Sequence, residues 1–214
     1  MGDQSVDKRA ELAKLAEEVD HLTDSPLYAY RQANHYHAVV GEGDPDASLM
    51  LIGEAPGEWE AKQGRPFVGA SGRVLDALLS HIGLRRQDVY ITNVVKDRPP
   101  KNRNPRVSEI RLYAPFLVRQ MAIIEPRVVA PLGRFALAFV LNQLGLPTEG
   151  QSITRLHGQP LAAQASYGPV TVVPLYHPAV ALYNSEQLAT LQHDFEGLKL
   201  HLNAAPPPAS EEAL

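Results

Sequence analysis

The stretch SLMLIGEAPG, residues 48–57, decides the fold. Leu49 to Ile52 form an uninterrupted apolar run that stops at Gly53. A strand with one wet face would alternate apolar and polar residues, so a continuous run implies burial on both faces, as in a parallel sheet. Three more stretches read the same way: VYITNVV (89–95), RVVAPLG (127–133) and VTVVPLYHP (170–178). Helical patterns separate them. Ala70 to Ile82 places Val74, Leu75, Leu78 and Leu79 on one face. Glu109 to Ile124 follows Ser108 as a candidate N-cap. Arg134 to Leu144 and Ser185 to Leu202 complete the series. Strands alternating with helices predict an α/β fold, with a four-stranded parallel sheet covered on both faces.

Outward from this core the sequence is less regular. Residues 6–19 place Leu12, Leu15 and Ala16 on one helical face. Asp20 to Asn34 reads as an irregular connection and GEGDPDA (41–47) as a turn-rich stretch. The tail AAPPPASEEAL (204–214) has the composition of a disordered segment. The expectation is one domain over 1–203, of which 1–37 is an N-terminal helix and its connection.

The composition excludes several classes. With 214 residues and a formal net charge of −4, the chain has no global basic field, so any nucleic-acid contact must come from a local patch. Cysteine is absent, which removes disulfides, thiol nucleophiles and cysteine-held metal centres. No apolar run approaches the length of a membrane span, and no signal segment opens the chain. A cytoplasmic monomer is the expectation.

Polar residues stand just beyond the strands, where open parallel sheets carry their sites. In GEAPG (53–57), Gly53 and its neighbours form either a plain turn or a loop whose N–H groups meet a polar ligand. Asn93 ends the second strand; it either satisfies loop backbone or offers a donor–acceptor pair to a pyrimidine edge. Phe67 in GRPFVGASG (64–72) is a core plug or a stacking platform for a base. His177 in YHPA (176–179) is a buried structural histidine or a donor to developing negative charge. Lys96, Arg98, Lys101, Arg103 and Arg106 lie in KDRPPKNRNPR (96–106), a proline-interrupted run that is either solvated surface or a phosphate-binding loop.

Taken in order, GEAPG, GRPFVGASG, YITNVVK with its following prolines, LG and YHPA resemble the family 4 uracil-DNA glycosylases over roughly residues 38–200. The resemblance implies a three-layer α/β/α sandwich and hydrolysis of uracil from DNA. It implies that Phe67 stacks on a flipped uracil, that Asn93 reads its edge, and that His177 holds its O2. Glu54 would position or activate water, with Ala55 standing where another class of the superfamily has a carboxylate. Gly53 and Ala55 would add contacts, Glu60 would crowd out the thymine methyl, and Val180 to Tyr183, including Leu182, would enter the DNA. Lys96, Arg98, Lys101 and Arg103 would contact phosphates. No lysine occupies a catalytic motif position, which points to an enzyme that leaves an abasic site uncut.

Family 4 members usually hold an iron–sulfur cluster on four cysteines. The corresponding positions here are Leu22, Ser25, Asp97 and Tyr113, none of which can ligate it in the usual way. Local packing must replace the cluster, with Leu22 and Tyr113 as fillers and Asp97 paired to an arginine. A substitute metal at His21, His35 or His37 is the lesser alternative. Two other readings remain: a glycosylase for another deaminated base such as hypoxanthine or xanthine, and an inactive DNA-binding protein on the same fold.

Overall fold

The computed structural model describes residues 7–203; the expected disordered tail lies outside them. Six strands form one sheet: β1 (Glu42–Gly43), β2 (Leu49–Gly53), β3 (Tyr90–Asn93), β4 (Val128–Pro131), β5 (Leu161–Ala165) and β6 (Gly168–Val172), in the order β1-β3-β2-β4-β6-β5. The inner four, β3-β2-β4-β6, are parallel, as the apolar runs predict. The sheet is mixed, however, because β1 and β5 pair antiparallel at its two edges. The four-stranded expectation misses both. β1 is two residues long inside the turn-rich stretch, and β5 reads LAAQA, too weakly apolar to signal a strand. The fourth run is also shorter than its apolar stretch: β6 ends at Val172, and Leu175 makes only an isolated bridge to Leu132.

Eight helices surround the sheet: α1 (Lys8–Asp20), α2 (Tyr28–Ala33), α3 (Glu58–Gln63), α4 (Ala70–His81), α5 (Val107–Ile124), α6 (Arg134–Gln143), α7 (Ile153–Leu156) and α8 (Ser185–Asn203). Three short ones, α2, α3 and α7, lie in segments with no helical periodicity long enough to read. The start of α5 also differs from expectation. Its N-cap is Arg106, whose backbone N–H donates to Glu109 Oε2 at 2.8 Å, while Ser108 lies inside the helix and is exposed. The Glu109 carboxylate reaching back does the work expected of a serine cap.

The strand period of two splits the core between the faces. Met50 and Ile52 of β2 pack with Leu15 and Val19 of α1, Leu117 and Met121 of α5, and Val140 of α6. Leu49 and Leu51 pack with Leu75, Leu78 and Leu79 of α4 and with Leu191, Phe195 and Leu198 of α8. This is the three-layer α/β/α sandwich. Every residue of β2, β3 and β4 is buried, so the site sits where the strands end.

Candidate active site

A cavity of about 390 Å³ opens at the carboxyl ends of the parallel strands, lined in part by Glu54, Ala55, Gly57, Glu60, Phe67 and Asn93, with His177 beside them. That volume falls in the range of small-molecule sites. Glu54 follows β2, Asn93 closes β3, and His177 follows the Leu175 bridge to the β4 side. Phe67 comes from the loop between α3 and α4. Four remote stretches therefore meet in one place.

Two glycines make the meeting possible. Gly53 and Asn93 are paired in the β2–β3 register. A Cβ on Gly53 would stand 2.7 Å from two carbons of the Phe67 ring, so only a bare Cα lets that ring lie against the strand end. Gly133, with φ of +85°, begins α6 and faces the Cβ of His177, which a side chain there would meet at 3.2 Å. The LG pair after β4 thus clears the space that His177 fills.

His177 accepts a hydrogen bond from the Ala179 backbone N–H at its Nδ1, 3.2 Å away. The proton of the neutral ring then sits on Nε2, leaving that nitrogen as the donor. Burial pushes the His177 pKa down to about 4, against a smaller opposing pull from the Glu60 charge. The ring is therefore neutral at physiological pH. Its centroid lies 5.6 Å from that of Phe67, with the planes tilted by 31°.

Glu54 is half-buried, and burial raises its carboxyl above the ordinary range while the charge of Arg134 pulls the other way. A carboxylate short of water is a stronger base than an exposed one. Glu60 is buried, and its Oε1 accepts from the Val68 and Gly69 N–H groups at 2.9 and 2.8 Å. It lines the cavity and also ties the Phe67 loop to α3. Ser71, Pro99, Asn102 and Ala179 line the cavity too; as isolated polar or small residues in loops and a helix start they carry no sequence signal that separates them from ordinary surface.

The basic run divides. Lys96 is fully buried, and its Nζ donates to Thr92 Oγ1 (2.7 Å), the Asn93 carbonyl (2.7 Å) and Gln120 Oε1 (2.6 Å). It has no face for phosphate, which corrects the expectation for that residue. Arg98 is also buried, donating to Tyr36 Oη at 2.6 Å, Asn102 Oδ1 at 2.7 Å and Glu58 at 3.1 Å. These two side chains brace the wall of the site from within. Lys101 and Arg106 are exposed, and Arg103 is half-buried at the cavity with a bidentate pair to Glu109. On the His177 side, Val180 and Tyr183 are exposed and Leu182 is half-buried.

A model of the Uracil DNA glycosylase superfamily matches residues 40–199. The chain belongs to that superfamily. It is 42% identical over 189 residues to the type-4 uracil-DNA glycosylase of Sulfurisphaera tokodaii, covering 88% of this chain and 83% of that protein. It is 42% identical over 177 residues to the type-4 enzyme of Thermotoga maritima, covering 82% and 86%. Similarity to the type-5 uracil-DNA glycosylase of Thermus thermophilus, 39% over 123 residues, covers half of this chain.

The iron–sulfur cluster implied by the type-4 resemblance does not fit this member of the superfamily. Ser25 Oγ lies 2.7 Å from Tyr113 Oη, which donates to Asp97 Oδ2 at 2.6 Å; Asp97 Oδ1 in turn accepts from Arg31 at 3.3 Å. Leu22 packs against the same apolar cluster that contains Tyr113. Three of the four positions thus carry side chains that hydrogen-bond to one another, Leu22 packs beside them, and the arginine partner of Asp97 is Arg31. Among the described residues, no three histidine, aspartate or glutamate side chains are grouped as ligands for a metal ion. No helix of the described residues is long and apolar enough to cross a membrane.

Proposed function

We propose that this chain hydrolyses the N-glycosidic bond of uracil in DNA, releasing free uracil and leaving an abasic site. The observation that carries the reading is the convergence of Glu54, Phe67, Asn93 and His177 on one cavity. The type-4 relatives are named for this activity.

A stacked base is out of reach of any cavity, so the nucleotide must swing out of the helix at a cost of a few kcal/mol. Stacking on the Phe67 ring and hydrogen bonds to the Asn93 amide offset that cost. The amide presents a donor and an acceptor together; with its oxygen turned to the uracil N3–H and its nitrogen to O4 it suits uracil, and held in that orientation it mismatches cytosine. As the bond between the base nitrogen and C1′ breaks, its electron pair leaves with the base and the sugar gains oxocarbenium character. The neutral His177 donates from Nε2 to the uracil O2 as charge builds there, which is worth on the order of 3 kcal/mol. Water attacks C1′, and Glu54 positions it and takes its proton. The adjacent Ala55 adds no carboxylate, so this is a one-base site. Glu60 stands at the wall where a thymine methyl would have to fit. Lys101, Arg103 and Arg106 contact phosphates, and Val180 to Tyr183 enter the space the base leaves. The working unit is a monomeric domain over residues 1–203, acting without a cluster and with no Schiff base to cut the strand.

The test uses labelled oligonucleotides bearing uracil, hypoxanthine or xanthine, single- and double-stranded, incubated with the protein and then treated with alkali. Cleavage at uracil alone supports the proposal. Cleavage at a purine lesion moves it to another deaminated base, and tight binding without cleavage replaces it with a DNA-binding role.

A further inference from the structure

We infer that Arg86 is a positioning residue for this cavity: its guanidinium locks the left-handed turn at Phe67 and so fixes the ring on which the flipped base stacks. The inference rests on the glycosylase reading for its functional meaning and on geometry for everything else.

Phe67 has φ of +51°. A bulky L-residue seldom keeps that conformation unless its surroundings over-determine it. Arg86 supplies the constraint. Its Nη1 donates to the Phe67 carbonyl at 2.9 Å and its Nη2 to the Pro66 carbonyl at 2.5 Å. The two peptide units that flank the strained Cα are held by one rigid planar group. The remaining donors of the guanidinium go to carboxylates, with Nε and Nη2 on Glu42 Oε1 at 3.0 and 2.6 Å and Nη1 on Asp76 Oδ1 at 3.0 Å. All five N–H groups of Arg86 are used, and it is anchored at once to β1, to α4 and to the loop.

The same carbonyl is trapped from its other side. Gly72 of α4 approaches so closely that a Cβ there would fall 1.9 Å from the Phe67 oxygen. The ring at the far end of the residue lies against Gly53 and 5.6 Å from the His177 ring. Backbone and ring are therefore gripped separately, and Arg86 is the charged part of the grip. Arg86 also lines a larger groove of about 750 Å³, together with Arg65, Arg85, Glu42 and Asp76. Those side chains pair with one another or with neighbours, and the groove touches the catalytic cavity's residues through Arg86.

A lysine at position 86 would keep a charge for Glu42 but could not bridge two carbonyls and two carboxylates in one plane. The experiment compares Arg86→Lys and Arg86→Ala with the wild type, alone and combined with Phe67→Ala, by single-turnover uracil release and by melting temperature. Phe67 is also observed directly by ¹⁹F resonance after incorporation of 4-fluorophenylalanine, its signal identified by its loss in Phe67→Leu. Either single variant should slow release about tenfold or more, raising KM as well as lowering kcat because the stacked ring contacts the base before and during cleavage, and should shift or broaden the Phe67 signal. Against Phe67→Ala the same substitution should change the rate by less than about twofold while still lowering the melting temperature. Should Arg86→Ala fail to fold, the lysine variant carries the comparison. An unchanged Phe67 signal overturns the inference, as does a rate loss that persists in full without the Phe67 ring. If the wild type releases no uracil, the glycosylase reading falls while the ¹⁹F arm still decides the clamp.

Discussion

Gly53 and Asn93 face each other at the last rung of the β2–β3 ladder, with Asn93 Oδ1 so close over the glycine that a Cβ would lie 2.3 Å from it. The side chain proposed to read the base is thus seated on a residue whose virtue is having no side chain. Gly53→Ala must displace both the Asn93 amide and the Phe67 ring, the two groups proposed to bind the base. Uracil release should fall by about a hundredfold, the scale expected when reacting groups shift by an ångström. Single-turnover kinetics on a uracil oligonucleotide check this, with circular dichroism to establish that the variant is folded. A rate near wild type would mean that Asn93 does not hold the base in this orientation.

Asn93→Ala and His177→Ala should each lower the rate by at least about tenfold without unfolding the protein. The two should differ in kind. In the proposed mechanism Asn93 contacts the base before and during bond cleavage, so its loss should raise KM as well as lower kcat. His177 acts on charge that exists only as the bond breaks, so its loss should appear in kcat. Identical splits in the two variants would remove that division of labour.

The expected pH profile follows from the opposite shifts of the two proposed catalytic groups. Burial lowers His177 to about 4, so this ring does not change charge between pH 5 and 9 and contributes no inflection there. Burial raises Glu54, which must be ionised to accept a proton from water. The rate should therefore fall with acidification through a limb lying above the ordinary glutamate pKa, and Glu54→Gln should abolish that limb along with most of the activity. Stability should move the other way. A carboxyl whose pKa is raised on folding binds protons more tightly in the folded state, so folding loses stability as pH rises through that window. Removing the charge should then raise the melting temperature at neutral pH. Differential scanning at pH 7.5 tests it; a lower melting temperature for Glu54→Gln would show that the carboxylate is stabilised in place.

The sequence makes the parallel core and the polar residues at its edge legible because both leave strong local patterns. Continuous apolar runs signal β2, β3, β4 and β6, and a glycine, asparagine or histidine just after such a run stands out. Edge strands escape because β1 is two residues long and β5 buries little. The fate of Lys96 and Arg98 escapes for a different reason. A run of cations looks the same in sequence whether it faces solvent or, as here, donates inward to Thr92, Gln120 and Tyr36. The clamp on Phe67 is illegible in the same way, since Arg86 meets it only through tertiary contacts of the folded chain.

At the positions where the family resemblance implies a cluster, Ser25, Tyr113 and Asp97 form with Arg31 a continuous buried chain of hydrogen bonds joining the segment after α1 to the loop after β3 and to α5. Such a chain ties the same distant segments, but through hydroxyls and charge rather than through metal. Tyr113→Phe deletes two hydrogen bonds in a fully buried place and should cost about 1–3 kcal/mol of unfolding free energy. Asp97→Ala should cost more, about 3–5 kcal/mol, because it leaves the Arg31 guanidinium buried without its nearest carboxylate. Both Asp97 and Tyr113 lie outside the cavity lining, so uracil release measured well below the melting temperature should stay within about threefold of wild type. Urea unfolding and single-turnover rates on the same preparations separate the two effects. Restoring the four cysteines without assembling a cluster should be as damaging as the single variants, since thiols cannot rebuild the Asp97–Arg31 pair. A variant that loses excision but keeps its unfolding midpoint would show that this network governs the active site and not the anchoring of the N-terminal segment.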